Sequence, residues 1–221
     1  MYQGQLFRSR LEARWASFFD SLGWVWEYEP LELNWYIPDF ILRFHKPVLV
    51  EVKPELDLEA LRKHTAKIAR SGWDGEALIV GACLFSTKEG PQPRDDNDDG
   101  YLLHRGHRRD CTAACLGLTT NLSPASLNEE TLDFESHLGE FPTKLPSIPI
   151  PIDAPDRWNE ATFQMCPHCD KFSFFDAIQS YHCRLNGCYE GNHSANPIVT
   201  YFATHMWRNA SNTVQWKSRN K

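Results

Sequence analysis

The sequence predicts an α/β fold: a mixed sheet flanked by helices in the order αβββαβ, followed by a small metal-bound module. Three observations predict it. Apolar residues at helical spacing are followed by three short strand-like runs. An amphipathic segment then leads into a continuous apolar run. Four closely spaced cysteines stand towards the C-terminus. The expected division is a core over residues 1–120, a proline-rich connector over 121–157, and a cysteine module with a basic tail over 158–221.

The first helix is predicted from about Phe7 to Leu22, with Leu11, Trp15, Phe18, Phe19 and Leu22 on one stripe and Gly23 as the stop. Glu12 falls at the edge of that stripe. Trp24 to Glu29 alternates, sending Trp24, Trp26 and Tyr28 one way and Val25, Glu27 and Glu29 the other, as in a strand. Tyr36–Leu42 and Val48–Lys53 are two further strands. The short connection RFHKP between them makes an antiparallel hairpin, and Pro38 suggests an edge or irregular start. Asp57 caps a helix running to about Ser71, with Leu58, Leu61 and Ile68 inward and Lys63, Lys67 and Arg70 as a basic stripe. Ala77–Phe85 reads as a strand covered on both faces, parallel to the one before the helix. Thr87–Gly100 is a loop, Tyr101–His104 a short strand and His107–Leu118 a short helix. The tail TVQWKSRNK is basic and frayed.

Composition narrows the function classes. A chain of 221 residues with 42% hydrophobic and 24% charged content is an ordinary globular sequence, not a fibrous or disordered one. No run approaches the roughly 20 apolar residues of a membrane helix. The N-terminal segment carries Arg8, Arg10 and Arg14 and does not read as a secretory signal, so a cytoplasmic location is expected. A net charge of −6 argues against a surface that clings to nucleic acid throughout, and leaves local basic patches open. The acid excess lies in the first two thirds, much of it in Asp95, Asp96, Asp98 and Asp99.

Two constellations carry chemistry. Pairing Leu42 with Val48 around the hairpin turn, and extending that register, sets Asp39 opposite Glu51. Directly opposed Cβ atoms are roughly 4.5–5.5 Å apart. Lys53 shares the face of Glu51, about 7 Å along. Two opposed carboxylates need neutralising, and hard oxygen ligands suit Mg²⁺ or Mn²⁺. The second constellation is Cys166-Pro-His-Cys169, thirteen intervening residues, then Cys183-Arg-Leu-Asn-Gly-Cys188. It fits a structural, tetrahedral, four-thiolate Zn²⁺ site, with His168, His182 and His193 as substitutes of second rank. His104, His107, Cys111 and Cys115 offer a second metal set with untrustworthy spacing; packed cysteines on a helix are preferred there. Trp24, Trp26 and Trp35 could stack bases or simply pack. Arg8, Arg10, Arg14 and the stripe Lys63, Lys67, Arg70 could touch phosphates or form solvated faces.

Tyr36-Ile37-Pro38-Asp39 followed by Glu51-Val52-Lys53 resembles the PD-(D/E)XK motif of the restriction-endonuclease-like nucleases. The wider segment FRSRLEARWASFFDSLGWVWEYEP, with YIPDF and LVEVKPE, looks like a group of phage and bacterial proteins assigned to that superfamily, some with a zinc-ribbon tail. The resemblance covers roughly residues 2–85, and more loosely the C-terminal part. It implies a divalent-metal-dependent DNA endonuclease acting in a bacterial or phage-infected cell. Asp39, Glu51 and the Val52 carbonyl would bind the metal. Glu12 would complete the site, and Lys53 would position water or stabilise the transition state. DNA is the implied partner; a homodimer, and a protein partner for the ribbon, stay open. The competing reading is a non-catalytic nucleic-acid-binding or adaptor protein on the same fold.

Overall fold

A computed structural model describes residues 1–87, 113–120, 158–176, 183–188, 196–198 and 200–215. The elements are α1 (Arg10–Ser21), β1 (Trp26–Tyr28), β2 (Phe40–Leu42), β3 (Val48–Val52), α2 (Leu58–Arg62), α3 (Thr65–Arg70), β4 (Glu76–Ser86), β5 (Ala114–Thr120), β6 (Trp158–Met165), β7 (Phe172–Asp176), β8 (Asn196–Pro197) and α4 (Thr200–Thr213). The strands form one mixed sheet in the order β1 to β7, with β8 pairing β6. β3 and β4 are parallel; the other neighbours are antiparallel.

Strand alternation separates two cores. Phe40, Leu42, Val48, Val50, Leu78 and Val80 face α1 and α4, together with Trp15, Phe18, Phe19 and Trp207. Ile41, Leu49, Ala77 and Ile79 face the other way, with Leu61 and Ile68 of α2 and α3. The sheet curls round α1 far enough for the Trp24 indole to donate to the Phe172 carbonyl of β7 at 3.0 Å. Trp207 of α4 packs on Trp15 with ring centroids 4.5 Å apart.

The hairpin register is the expected one: Leu42 pairs Val48, Ile41 pairs Leu49 and Phe40 pairs Val50. Ser9 caps α1 by accepting from the Glu12 N–H, and Asp57 caps α2 by accepting from the Ala60 N–H at 2.7 Å.

Several expected elements differ. β2 starts at Phe40, because Tyr36 is committed to a local turn in which it and Leu33 exchange backbone hydrogen bonds. The helix after Asp57 is broken into α2 and α3. The Thr65 hydroxyl donates to the Arg62 carbonyl at 2.8 Å, which a continuous helix would use for a backbone N–H, and His64 turns aside to Glu55 at 2.9 Å. The helix expected over His107–Leu118 is not formed where it is described, since Ala114–Thr120 is a strand buried on both faces between β4 and β6. Gly117 allows it: at φ +154° it lies against β4, and a Cβ there would sit 1.9 Å from the Ile79 carbonyl oxygen. Residues 158–176 are not a detached ribbon, because β6 and β7 continue the central sheet. Their neighbour α4 packs on α1, where no helix was expected; the tail beyond Gln215 lies outside the described residues. The loop over Thr87–Gly100 beyond Thr87, the strand over Tyr101–His104, the connector over 121–157, and His104, His107, Cys111, His182 and His193 lie outside the described residues. No described helix is long and apolar enough to cross a membrane.

Candidate active site and metal centre

The open end of the β2–β3 hairpin gathers the acids. Asp39 immediately precedes β2 and Glu51 lies near the end of β3; they are 7% and 2% exposed. Asp39 Oδ2 accepts the Val52 N–H at 2.7 Å, so Val52 meets the acid pair through its amide. Lys53 Nζ lies 2.5 Å from Glu51 Oε1. Burial, then the negative charge of Glu51, pushes the Asp39 carboxyl up to about 6; the Val52 N–H and Lys53 pull it back, and Glu12 adds a smaller upward push. Asp39, Glu51 and Lys53 are thus brought together as the register implied.

Glu12 is placed differently. It belongs to α1, which packs on the sheet face opposite Ile41 and Leu49. Glu12 Oε2 accepts from the Tyr28 hydroxyl at 2.6 Å and from the Arg8 N–H at 3.1 Å. Burial and that bond to Glu12 push the Tyr28 hydroxyl up to about 12, so it stays a donor at neutral pH. Arg8 reaches Asp39 at 3.4 Å and pairs with Glu29, tying the N-terminal segment to the acids. Arg8 therefore pairs with carboxylates while its side chain stays largely exposed.

Two residues of the site escaped the sequence reading. Tyr36 donates its hydroxyl to Glu51 Oε2 at 2.6 Å. Lys67 of α3 lies 3.2 Å from Glu51 Oε1 and stacks its ammonium 4.7 Å from the Tyr36 ring centroid. Tyr36 stood inside the quoted motif as a strand residue, and Lys67 inside the basic stripe. What brings them to Glu51 is the break before α3 and the Leu33–Tyr36 turn, which no periodicity displays.

The cysteines form the second centre. Cys166, Cys169, Cys183 and Cys188 bring their Sγ atoms within 4.8 Å of one another and could hold a metal ion. Among the described residues they are the one group of three or more ligating side chains that converge so closely. Cys166 and Cys188 Sγ are 3.6 Å apart, and Cys169 and Cys183 Sγ 3.9 Å. A tetrahedron with metal–sulfur bonds of about 2.3 Å has edges of about 3.8 Å. Burial pushes the Cys183 thiol up to about 12, and that of Cys188 further. Four uncharged thiols facing one another have little to hold them, whereas a bound dication favours their thiolates. Cys115 takes no part: it is buried on β5 with its thiol on the Gly117 carbonyl at 3.0 Å, and burial pushes it strongly up.

The chain matches no protein-family model, no curated protein and no solved structure.

The two centres lie at opposite ends of one hairpin. The knuckle over residues 183–188 rests on the β2–β3 turn: His45 N–H donates to the Arg184 carbonyl at 2.9 Å and Asn186 Nδ2 to the Arg43 carbonyl at 3.0 Å. Glu51 lies three residues beyond the turn end of β3, about 10 Å along a strand. A metal at the cysteines would therefore brace the turn end of the hairpin, whereas the acids stand at its open end.

Proposed function

We propose that this protein is a divalent-metal-dependent DNA endonuclease whose cysteine cluster binds a structural Zn²⁺. The observation that carries the reading is the buried Asp39–Glu51 pair at the open end of the hairpin, with Lys53 on Glu51. Burying two carboxylates beside each other costs several kcal/mol unless a cation joins them. The donor set is all oxygen and acidic, which fits Mg²⁺ or Mn²⁺. Asp39 and Glu51 would hold the ion, with the Val52 carbonyl completing the set and Glu12 standing behind as a further negative charge. When bound, such an ion neutralises phosphate charge and makes bound water easier to deprotonate.

The chain's own residues do the rest. Tyr36 fixes the Glu51 carboxylate plane through Oε2. Lys53 and Lys67 supply two ammonium groups that share Oε1, and either can turn to a phosphate oxygen on which charge develops. Arg8 holds the outer oxygen of Asp39. In-line hydrolysis of a phosphodiester needs just such positioning and charge neutralisation.

Cleavage of supercoiled plasmid with Mg²⁺ or Mn²⁺ tests the reading. The zinc-loaded chain is expected to cut only with added Mg²⁺ or Mn²⁺. Lys53→Ala should lose roughly 100- to 1,000-fold in rate. Lys67→Ala, which removes the more exposed of the two ammonium groups, should lose about tenfold with its metal requirement unchanged. A folded, zinc-loaded chain that cuts no substrate, or a Lys53→Ala variant as active as wild type, would sink it.

A further inference from the structure

The three tryptophans that the sequence offered as stacking residues separate cleanly. Trp24 is buried, and Trp26 is half-buried with its indole on Asp20 at 2.9 Å. Trp35 is 97% exposed. It stands at the tip of the two-residue turn between Leu33 and Tyr36, where Asn34 has φ +31° and Trp35 φ +66°. The second position of such a turn favours glycine, because a side chain there crowds its own backbone. A large aromatic residue occupies it, in a strained conformation, with its ring in solvent.

The turn itself is well held. Leu33 and Tyr36 exchange two backbone hydrogen bonds. Asn34 Nδ2 packs over Gly72, just past α3, where a Cβ would meet it at 2.8 Å. Tyr36 is 3% exposed and anchored on Glu51 and Lys67. Trp35 is thus the free end of a rigid arm whose other end is bonded into the acid–lysine site. Trp35 directly precedes Tyr36, whose ring carries the Lys67 ammonium 4.7 Å from its centroid, so the exposed indole belongs to the same short turn that borders the lysines.

We propose that Trp35 is a stacking platform for an unpaired base of the DNA substrate beside the cleavage site. The proposal takes its substrate class from the nuclease reading. Every base offers a π-face, so the contact selects unpaired or distorted DNA without selecting sequence. Lys53 and Lys67, gathered on Glu51 at the other end of the arm, would supply the phosphate contacts that a solvent-exposed aromatic ring alone lacks.

The test is binding of a duplex carrying one unpaired 2-aminopurine, against the fully paired duplex, by the zinc-loaded chain without Mg²⁺ or Mn²⁺. Wild type and Trp35→Phe are expected to quench the unpaired 2-aminopurine on binding. Trp35→Ala and Trp35→Gly are expected to bind that probe about 5- to 150-fold more weakly, without quenching, and to keep their affinity for the paired duplex. Trp35→Gly should also melt about 2–4 °C higher than wild type, because it relieves the strained turn. Unchanged affinity and quenching in Trp35→Ala would overturn the proposal. So would a Trp35→Gly chain that loses both stability and binding, since the tryptophan would then be structural. A wild type that quenches the probe but cuts nothing would defeat the nuclease reading and leave the stacking site standing. A wild type that cuts, with Trp35→Ala equal to it on the unpaired probe, would do the reverse.

Discussion

Asp39→Asn is expected to abolish metal-dependent cleavage and, in the same chain, to raise the stability of the Mg²⁺-free protein at pH 8. The two effects share one cause. Asp39 is buried against Glu51, and its folded-state value of about 6 stands above the ordinary 3.8. It binds its proton more tightly folded than unfolded. Its contribution therefore favours folding below pH 3.8 and is lost as the pH rises through about 6. At pH 8 the ionised carboxylate costs the fold about 2–3 kcal/mol. Asparagine removes the charge and keeps an oxygen for the Val52 N–H. Melting should move up by roughly 5–10 °C at pH 8, with little change near pH 4. Added Mg²⁺ should stabilise wild type and leave Asp39→Asn where it was, because a ligand stabilises only the state that binds it. Cleavage by the variant should fall at least about 100-fold. An Asp39→Asn chain that is less stable than wild type at pH 8, or that still gains stability from Mg²⁺, would remove Asp39 from the metal site.

The site was legible where chemistry is local and period two applies. RFHKP is short enough to fix a hairpin register, and that register decides the neighbours of Asp39, Glu51 and Lys53. The stripe of α1 was legible because Trp15, Phe18 and Phe19 repeat at helical spacing. β5 was not, because its bulge at Gly117 breaks the alternation, and a short apolar run buried on both faces reads equally as helix or strand. α4 carried a readable pattern in Ala203, Met206, Trp207 and Ala210, and only the assumption of a separate C-terminal module hid it. That assumption failed because strand pairing is long-range: nothing in Trp158–Met165 names β5 as its partner across residues 121–157. Lys67 and Tyr36 were hidden for a related reason. Lys67 reaches Glu51 because the helix breaks and restarts at Thr65, and Tyr36 reaches it because of the turn it closes with Leu33.

Removing the metal from the cysteines is expected to destabilise the whole sheet and not only the knuckles. Arg184 follows Cys183 directly and is 5% exposed. Its guanidinium pairs with Glu76 at the start of β4, at 2.5 and 2.6 Å, donates to the Phe174 carbonyl at 2.5 Å and stacks 4.5 Å from the Phe174 ring centroid. If the knuckle loosens, Glu76 loses a buried partner, which costs about 3–5 kcal/mol when one member of such a pair is withdrawn. The metal–thiolate bonds add their own share. Cys183→Ser, or chelation of the bound ion, should therefore lower melting by about 10 °C or more and abolish one bound Zn²⁺ per chain. Cys83→Ser, half-buried on β4 and away from the cluster, should change neither by much. Arg184→Met separates the two contributions: it should retain its zinc and still melt below wild type, because the largely covered Glu76 carboxylate is left without its cation. Cleavage lost on chelation should not return with added Mg²⁺ alone, because the turn that the knuckle braces through His45 and Arg43 sets the register of Asp39 and Glu51. A chelated chain that melts like the loaded one would show that the cysteines hold no structural ion.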